Sequence, residues 1–124
     1  LIKVFDTQVE EFLNHFKNIQ IRYSQKKYTL CLAARTGAEV LAFRKLGLFC
    51  IGIDLIFPKD SPYVLYGDFH HLNFPDGSFD IVYSNSLDHS FNINQLVSEA
   101  KRVLKNDGII CFHLQKGADE NKKK

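Results

Sequence analysis

Apolar residues recur along this chain in two periods, and the changes of period mark its elements. Val9, Phe12, Leu13, Phe16 and Ile19 follow Asp6-Thr7 at three- and four-residue intervals, which predicts a helix over residues 7–19 with a good N-cap ahead of it. Residues 28–34 form a nearly continuous apolar run of strand length, closed by Arg35-Thr36-Gly37. Helical spacing returns with Val40, Leu41, Phe43 and Leu46, and Gly47 supplies a C′ stop, so a short helix is predicted over 38–46. A second strand covers 48–53 and ends in Asp54. The link from there to Tyr63 is short and contains Pro58 and Pro62, so the crossover helix usual between parallel strands is reduced to a turn or missing. Strands over 63–66 and 79–84 flank a polar segment with the turn residues Pro75, Asp76 and Gly77. Ile93, Leu96, Val97, Ala100 and Leu104 predict a further helix, ended by Asn106-Asp107-Gly108, and 109–114 make a last strand.

Strands alternating with helices predict an α/β fold, a Rossmann-like, mostly parallel sheet with helices on its faces. Right-handed crossovers place the first strand centrally. A chain of 124 residues with 45% apolar and 13% aromatic content is enough for one core, expected over residues 1–117, with a disordered basic tail over 118–124. The formal charge of +2 owes three positive charges to Lys122, Lys123 and Lys124, so the body is nearly neutral and gives no electrostatic case for nucleic acid. No apolar run approaches membrane length and no signal segment opens the chain, which predicts a soluble, cytoplasmic protein with no membrane partner. Cys31, Cys50 and Cys111 each lie inside an apolar run and read as small buried hydrophobes rather than as a disulfide framework or zinc site. The sequence opens on Leu1 and contains no methionine, as expected of an excised or processed piece.

In an open α/β sheet, ligands bind beyond the carboxyl ends of the strands. The turn Ala33-Ala34-Arg35-Thr36-Gly37 falls there, at a helix N-terminus suited to a nucleotide-type cofactor. Asp54, ending the next strand, is either an acceptor for two ribose hydroxyls or an Asp that opens a loop. Asp68 ends the third strand and is a candidate ligand contact, whereas Asp80 begins the fourth and reads as structural. Adjacent His70 and His71 on an extended segment point apart, and no His or Cys spacing matches a zinc pattern, so no metal is expected. This strand–turn–helix–strand–Asp unit does not by itself tell S-adenosylmethionine from a dinucleotide.

Residues 67–80 make that distinction. Gly67-Asp68, then Leu72-Asn73-Phe74-Pro75-Asp76-Gly77-Ser78-Phe79-Asp80 and an apolar strand, closely resemble the middle of class I S-adenosylmethionine-dependent methyltransferases of the small-molecule type. Arg102-Val103-Leu104-Lys105-Asn106-Asp107-Gly108 resembles the family's helix-to-strand corner, and the resemblance extends over residues 28–114. It implies strand order 3-2-1-4-5, S-adenosyl-L-methionine as cofactor, and methyl transfer to a small-molecule acceptor. It also implies cofactor contacts at Ala33, Arg35, Gly37, Asp54, Leu55, Asp68, Phe69 and Ser84, with Asp68 and the Phe69 amide at the adenine. Ser84-Asn85-Ser86-Leu87-Asp88-His89 resembles the loop whose end lies towards the acceptor, and His89 is the one imidazole to consider as a general base. That loop does not read Asn-Pro-Pro-Tyr, which disfavours methylation of nucleic-acid bases. The first helix either lies across the cofactor site, as the resemblance implies, or simply packs on the sheet.

The chain departs from the family in two places. The turn usually written Asp-x-Gly-x-Gly-x-Gly here reads Cys31-Leu32-Ala33-Ala34-Arg35-Thr36-Gly37, so Ala33 is expected to cost little if its φ stays negative, and Arg35 either pairs with the methionyl carboxylate or blocks the site. The family's last two strands have no counterpart after residue 114, and an unpaired edge over 109–114 implies either self-association or a continuation that covers it. A non-catalytic methyltransferase-like binding or assembly module is the alternative function, and a dinucleotide-binding fragment a third.

Overall fold

The computed structural model describes residues 7–14, 16, 28–55, 62–85 and 90–112. Its strands are β1 (Tyr28–Leu32), β2 (Phe49–Asp54), β3 (Val64–Tyr66), β4 (Phe79–Ser84) and β5 (Leu104–Phe112). The helices are α1 (residues 7–14, with Phe16 also helical), α2 (Ala38–Lys45) and α3 (Ile93–Val103). All strand pairs are parallel, in the order β3-β2-β1-β4-β5, so the expected sheet is the one formed. Residues 17–19 of the first predicted helix, the link over 56–61, the loop 86–89 with Asp88 and His89, and everything after Phe112 lie outside the described residues.

Period-two alternation sends successive side chains to opposite faces of this sheet. On β1, Cys31 joins Val40, Phe43, Ile81 and Tyr83 beneath α1 and α2. Leu30 and Leu32 point the other way, into a core with Val82, Leu96, Ala100 and Val103 that α3 covers. Phe16 on the first face stacks on Phe43 at 3.9 Å between ring centroids and meets the edge of Tyr83 at 4.8 Å. Buried Thr29 Oγ1 and Tyr83 Oη have no hydrogen-bond partner among the described residues. Helix α2 rides close on β2 because Gly52 has no side chain, and a Cβ there would come within 2.8 Å of the Val40 Cγ2. Its end follows the sequence signal, since Gly47 sits at φ 91° and the Leu48 N–H donates back to the Phe43 carbonyl at 3.1 Å.

One boundary differs from the sequence expectation. Asn106-Asp107-Gly108 does not form a separate turn before the last strand, because β5 already begins at Leu104. Leu104 pairs with Phe79 and Ile109 with Ile81, so residues 105–108 bulge opposite Asp80 alone. The bulge lets Lys105 Nζ approach Asp80 Oδ1 at 3.4 Å, while Asp80 Oδ2 accepts the Tyr28 N–H at 3.0 Å. Asp80 is thus the structural tie between the starts of β1 and β5. Among the described residues β5 is an edge strand, and no helix is long and apolar enough to cross a membrane.

Between β3 and β4 the chain makes a loop without regular structure, and α3 holds it. The Arg102 guanidinium donates to the Leu72 carbonyl at 2.7 Å, the Phe74 carbonyl at 2.8 Å and Asp76 Oδ1 at 2.8 Å. Its Nε donates to Glu99 Oε2 at 2.7 Å, and Glu99 Oε1 accepts the Leu72 N–H at 2.7 Å. Bonds from Arg102 hold the Glu99 carboxyl below its usual range against the opposing effect of burial. Loop carbonyls that no strand or helix can satisfy are thereby paired.

Candidate functional site

Because every strand runs the same way, the turn after β1, Asp54 at the end of β2, Gly67-Asp68 after β3 and Asn85 after β4 meet at one edge of the sheet. The Ala34 N–H donates to the Ile53 carbonyl at 3.2 Å and the Gly67 N–H to the Asp54 carbonyl at 3.0 Å, fastening three strand ends together. Ser84 makes a third tie, joining the end of β4 to that of β1, by donating its hydroxyl to the Leu32 carbonyl at 2.9 Å. Its side chain is fully buried and that hydroxyl binds strand to strand, so a cofactor contact at Ser84 would fall to its backbone.

The turn itself keeps a glycine backbone without the glycines. Ala33, Arg35 and Gly37 have φ of 56°, 53° and 89°. The condition under which Ala33 would cost little, a negative φ, is therefore not met. A left-handed backbone costs a side-chain-bearing residue roughly 1–2 kcal/mol. The turn is held in this shape by Asp54 Oδ2, which accepts the Arg35 N–H at 2.8 Å, and by the Gly37 N–H donating to the Ala34 carbonyl at 2.8 Å. Arg35→Gly is accordingly expected to stabilise the fold by about 0.5–1 kcal/mol in urea denaturation, after the larger entropy of an unfolded glycine is subtracted. Ala33→Gly should be close to neutral, since Ala33 also buries its methyl in the core. A lower midpoint for Arg35→Gly would show that its side chain contributes more than the strain removes.

Asp68 and its neighbours form a hydrogen-bonded chain that the sequence did not suggest. Asp68 Oδ1 accepts from the His70 backbone N–H at 2.9 Å and from His70 Nδ1 at 2.8 Å, while His70 Nε2 lies 2.7 Å from Ser90 Oγ. In the neutral ring tautomer with Nδ1–H donating to the carboxylate, Nε2 accepts a hydrogen bond from the Ser90 hydroxyl. The His70 ring is buried and has the exposed Phe91 ring 3.9 Å away. Burial acts to raise the Asp68 carboxyl, but the His70 N–H and ring outweigh it and hold the group below its usual value. These bonds all fall on Oδ1, leaving Oδ2 of a one-third exposed side chain turned to other uses. Phe69 buries its ring among Leu32, Ile53 and Leu72, so only its backbone amide is available to a ligand. Leu55 is half-buried beside Asp54.

Beside the turn lies a cleft of about 90 Å³ lined by Gln8, Phe12, Arg35, Thr36, Glu39 and Asn85 with Ala34 and Ala38 at its floor. Helix α1 thus both packs on the sheet and borders the site. Glu39, in the first turn of α2, is only 3% exposed, and none of the bonds among the described residues engages its carboxyl except through its own backbone N–H. Burial pushes its pKa up to about 8, Asp54 adds to that, and its own N–H and Arg35 oppose it. Sequence reading passed over Glu39 because an acidic residue near a helix start is ordinarily solvated there. His70, two residues beyond Asp68, was readable only as one half of a His-His pair. Among the described residues no group of three His, Cys, Asp or Glu side chains is placed to hold a metal.

Residues 30–112 match the model of a family described as Methyltransferase domain. No curated protein matches the chain by sequence. Among solved structures it is similar to a protein of Pyrococcus horikoshii, 22% identical with a TM-score of 0.72, over 89% of this chain and 59% of that one. A candidate S-adenosyl-L-methionine-dependent methyltransferase of Methanococcus maripaludis is 18% identical with a TM-score of 0.75, over 98% of this chain and 68% of that one. The YcgJ protein of Bacillus subtilis is 27% identical with a TM-score of 0.63, over 78% of this chain and 49% of that one. The chain thus spans about half to two-thirds of the length of the structures it resembles.

Proposed function

The chain belongs to the Methyltransferase domain family, and we propose that it binds S-adenosylmethionine at the turn after β1 and passes its methyl group to a small-molecule acceptor. The observation that carries this reading is the turn's backbone. Two residues with side chains keep the left-handed conformation of glycine, at an energetic cost, where Asp54 and Asp68 converge on the same edge. Strain of this kind collects at ligand-binding positions and persists only where the surroundings hold it.

The residues present fit such a cofactor. Asp54 would take the ribose hydroxyls, and Asp68 Oδ2 with the Phe69 amide would take the adenine. Gly37 lets the turn pack closely against the start of β3, since a Cβ there would fall 2.6 Å from the Tyr63 Cβ. When bound, the cofactor supplies a methyl group on a sulfonium, which needs an aligned nucleophile more than a strong base. This chain's part is then to orient and to exclude water, and positioning alone can lower such a barrier by ~7–11 kcal/mol. His70 keeps Asp68 ionised and fixed, and the Arg35 N–H fixes Asp54. His89, which lies outside the described residues, remains a proposed general base.

Calorimetry with S-adenosylmethionine and S-adenosylhomocysteine, and with NAD as a control, tests the reading. Saturable binding of the first two and none of the third is expected. Asp54→Ala should weaken that binding more than tenfold, because each hydrogen bond to a charged acceptor contributes roughly 1.5–3 kcal/mol. Unchanged affinity in a folded Asp54→Ala protein would remove Asp54 from the site. A specific observation also favours the second reading, a binding module without turnover. The turn retains the glycine shape but puts a cation at Arg35, and binding without methyl transfer to any acceptor tried would fit that module.

A further inference from the structure

Asp68, His70 and Ser90 stand in one line of hydrogen bonds, from Asp68 Oδ1 to His70 Nδ1 at 2.8 Å and from His70 Nε2 to Ser90 Oγ at 2.7 Å. A serine hydroxyl is a weak nucleophile until a base takes its proton, and an imidazole serves as that base when a carboxylate fixes its tautomer from the far side. All three parts are present. The base is also held still: the Gln95 amide donates to the His70 carbonyl at 2.9 Å, and the Phe69 and Phe91 rings lie 4.8 and 3.9 Å from the imidazole. A serine that merely capped α3 would need none of this, because Asn92 already caps that helix by accepting the Gln95 N–H at 3.1 Å.

The surroundings of Oγ suit attack on a carbonyl. His70 is buried whereas Ser90 is only half-buried, so the line of bonds runs from the interior to the surface. Ser90 Oγ accepts the Asn92 N–H at 3.1 Å, which sets it at the start of α3. The N–H groups of Ile93 and Asn94 in the first helical turn have no acceptor among the described residues. An oxyanion developing on a carbon bonded to Oγ therefore forms beside open donors. Phe91, 76% exposed, and Ile93 add apolar surface next to Ser90 in the chain.

We propose that Ser90 is a nucleophile, with His70 as its general base, that hydrolyses carboxylic esters with an apolar acyl or alcohol part. Oγ forms a bond to the carbonyl carbon as its proton passes to His70 Nε2. The ester C–O bond then breaks, and that proton leaves with the alkoxide as an alcohol. Water, giving a proton to His70, attacks the acyl-serine; the carboxylic acid departs and Oγ regains a proton. Asp68 stays ionised throughout and is a positioning residue that orients the ring. Water is the only co-reactant. The activity stands apart from the S-adenosylmethionine reading, because it uses Asp68 Oδ1 and leaves Oδ2 free.

The test treats the 124-residue chain with an alkyl fluorophosphonate, whose phosphorus bonds to a serine oxygen as fluoride leaves, and separately with p-nitrophenyl butyrate. Mass spectrometry of the digested wild type should place one phosphonyl group on Ser90, a readout that needs no variant. Release of p-nitrophenol should fall about a hundredfold or more in Ser90→Ala, which removes a single oxygen. Asp68→Asn should slow the limiting rate of labelling about tenfold or more and keep the half-saturating probe concentration within about twofold, a split that loss of structure does not produce. No adduct, or an adduct that spares Ser90, overturns the proposal. So does ester turnover that survives in Ser90→Ala, or a labelled Ser90 with no turnover above that of Ser90→Ala. Labelling of Asp68→Asn at the parent rate overturns the orienting role of Asp68.

Discussion

Glu39→Gln is expected to make the protein more stable at pH 8.5 and to leave it nearly unchanged at pH 4. The carboxyl has an ordinary value of 4.5 and is pushed up to about 8 in the folded chain. Between those values the folded state keeps a proton that the unfolded state has released. Stability conferred by the protonated form is therefore complete below 4.5 and is lost as pH rises towards 8, with a slope of at most ~1.4 kcal/mol per pH unit. Above about 8 both states have released the proton and the penalty is constant. Glutamine has the same shape and never ionises, so the variant lacks this slope. The difference at pH 8.5 should amount to several kcal/mol, on the order of the shift converted at ~1.4 kcal/mol per unit. Urea denaturation at a series of pH values from 4 to 9 measures it. Parallel stability profiles for the two proteins would show that Glu39 ionises freely, and its burial would then need another explanation.

Arg102→Ala should produce the largest loss of stability of any half-exposed side chain. The guanidinium connects α3 to two loop carbonyls, to Asp76 and to Glu99, and Glu99 in turn holds the Leu72 N–H. Removing it leaves the carbonyls of residues 72 and 74 without those donors and frees Glu99 to move away from the loop. A fall in melting temperature of roughly 10 °C is expected for a domain of this size. Arg102→Lys should recover only part of that, since one ammonium cannot reach donors fanned across four acceptors. Amide exchange at Leu72 separates this account from a loss of helix stability, because it should accelerate more than exchange within α3. A melting point within about two degrees of the parent would mean that the loop holds itself.

These two residues mark where sequence reading stopped. The strands β1, β2 and β4 and the helix α3 were visible because local period reports local burial: Leu30, Cys31 and Leu32 fill both faces of the sheet, and Leu96, Ala100 and Val103 face one core. The turn after β1 and the Asp at the end of β2 were legible as a candidate site because strand ends in a parallel sheet must meet. Glu39 was not, because its burial arises when α1 and the turn close around it, which no short window encodes. Nor was the clamp of Arg102 on residues 72–76, which joins positions far apart along the chain to carbonyls that carry no side-chain signal. The bulge over 105–108 hid for a related reason. Asn106-Asp107-Gly108 has turn chemistry, but Leu104 had already paired with Phe79, so the turn residues became an irregularity inside a strand. Asp68 was legible for its place beyond the end of a strand and not for its bond to His70, which depends on the ring being folded back into the protein.

The packing of Tyr83 also gives the molecule an optical signature. The chain has five tyrosines and no tryptophan, so its near-ultraviolet absorption comes chiefly from phenol rings. Tyr28 and Tyr66 are exposed to water, whereas Tyr83 is fixed edge-on against Phe16 and Phe43 and closed over by α1. A ring held in one asymmetric setting rotates polarised light far more than one that turns freely. Near-ultraviolet circular dichroism of this protein should therefore report mainly on Tyr83, and through it on the seam between α1 and α2 that borders the site. Burial also raises its phenol far above the ordinary value, so that band should keep its neutral-phenol wavelength in alkali until the fold itself opens.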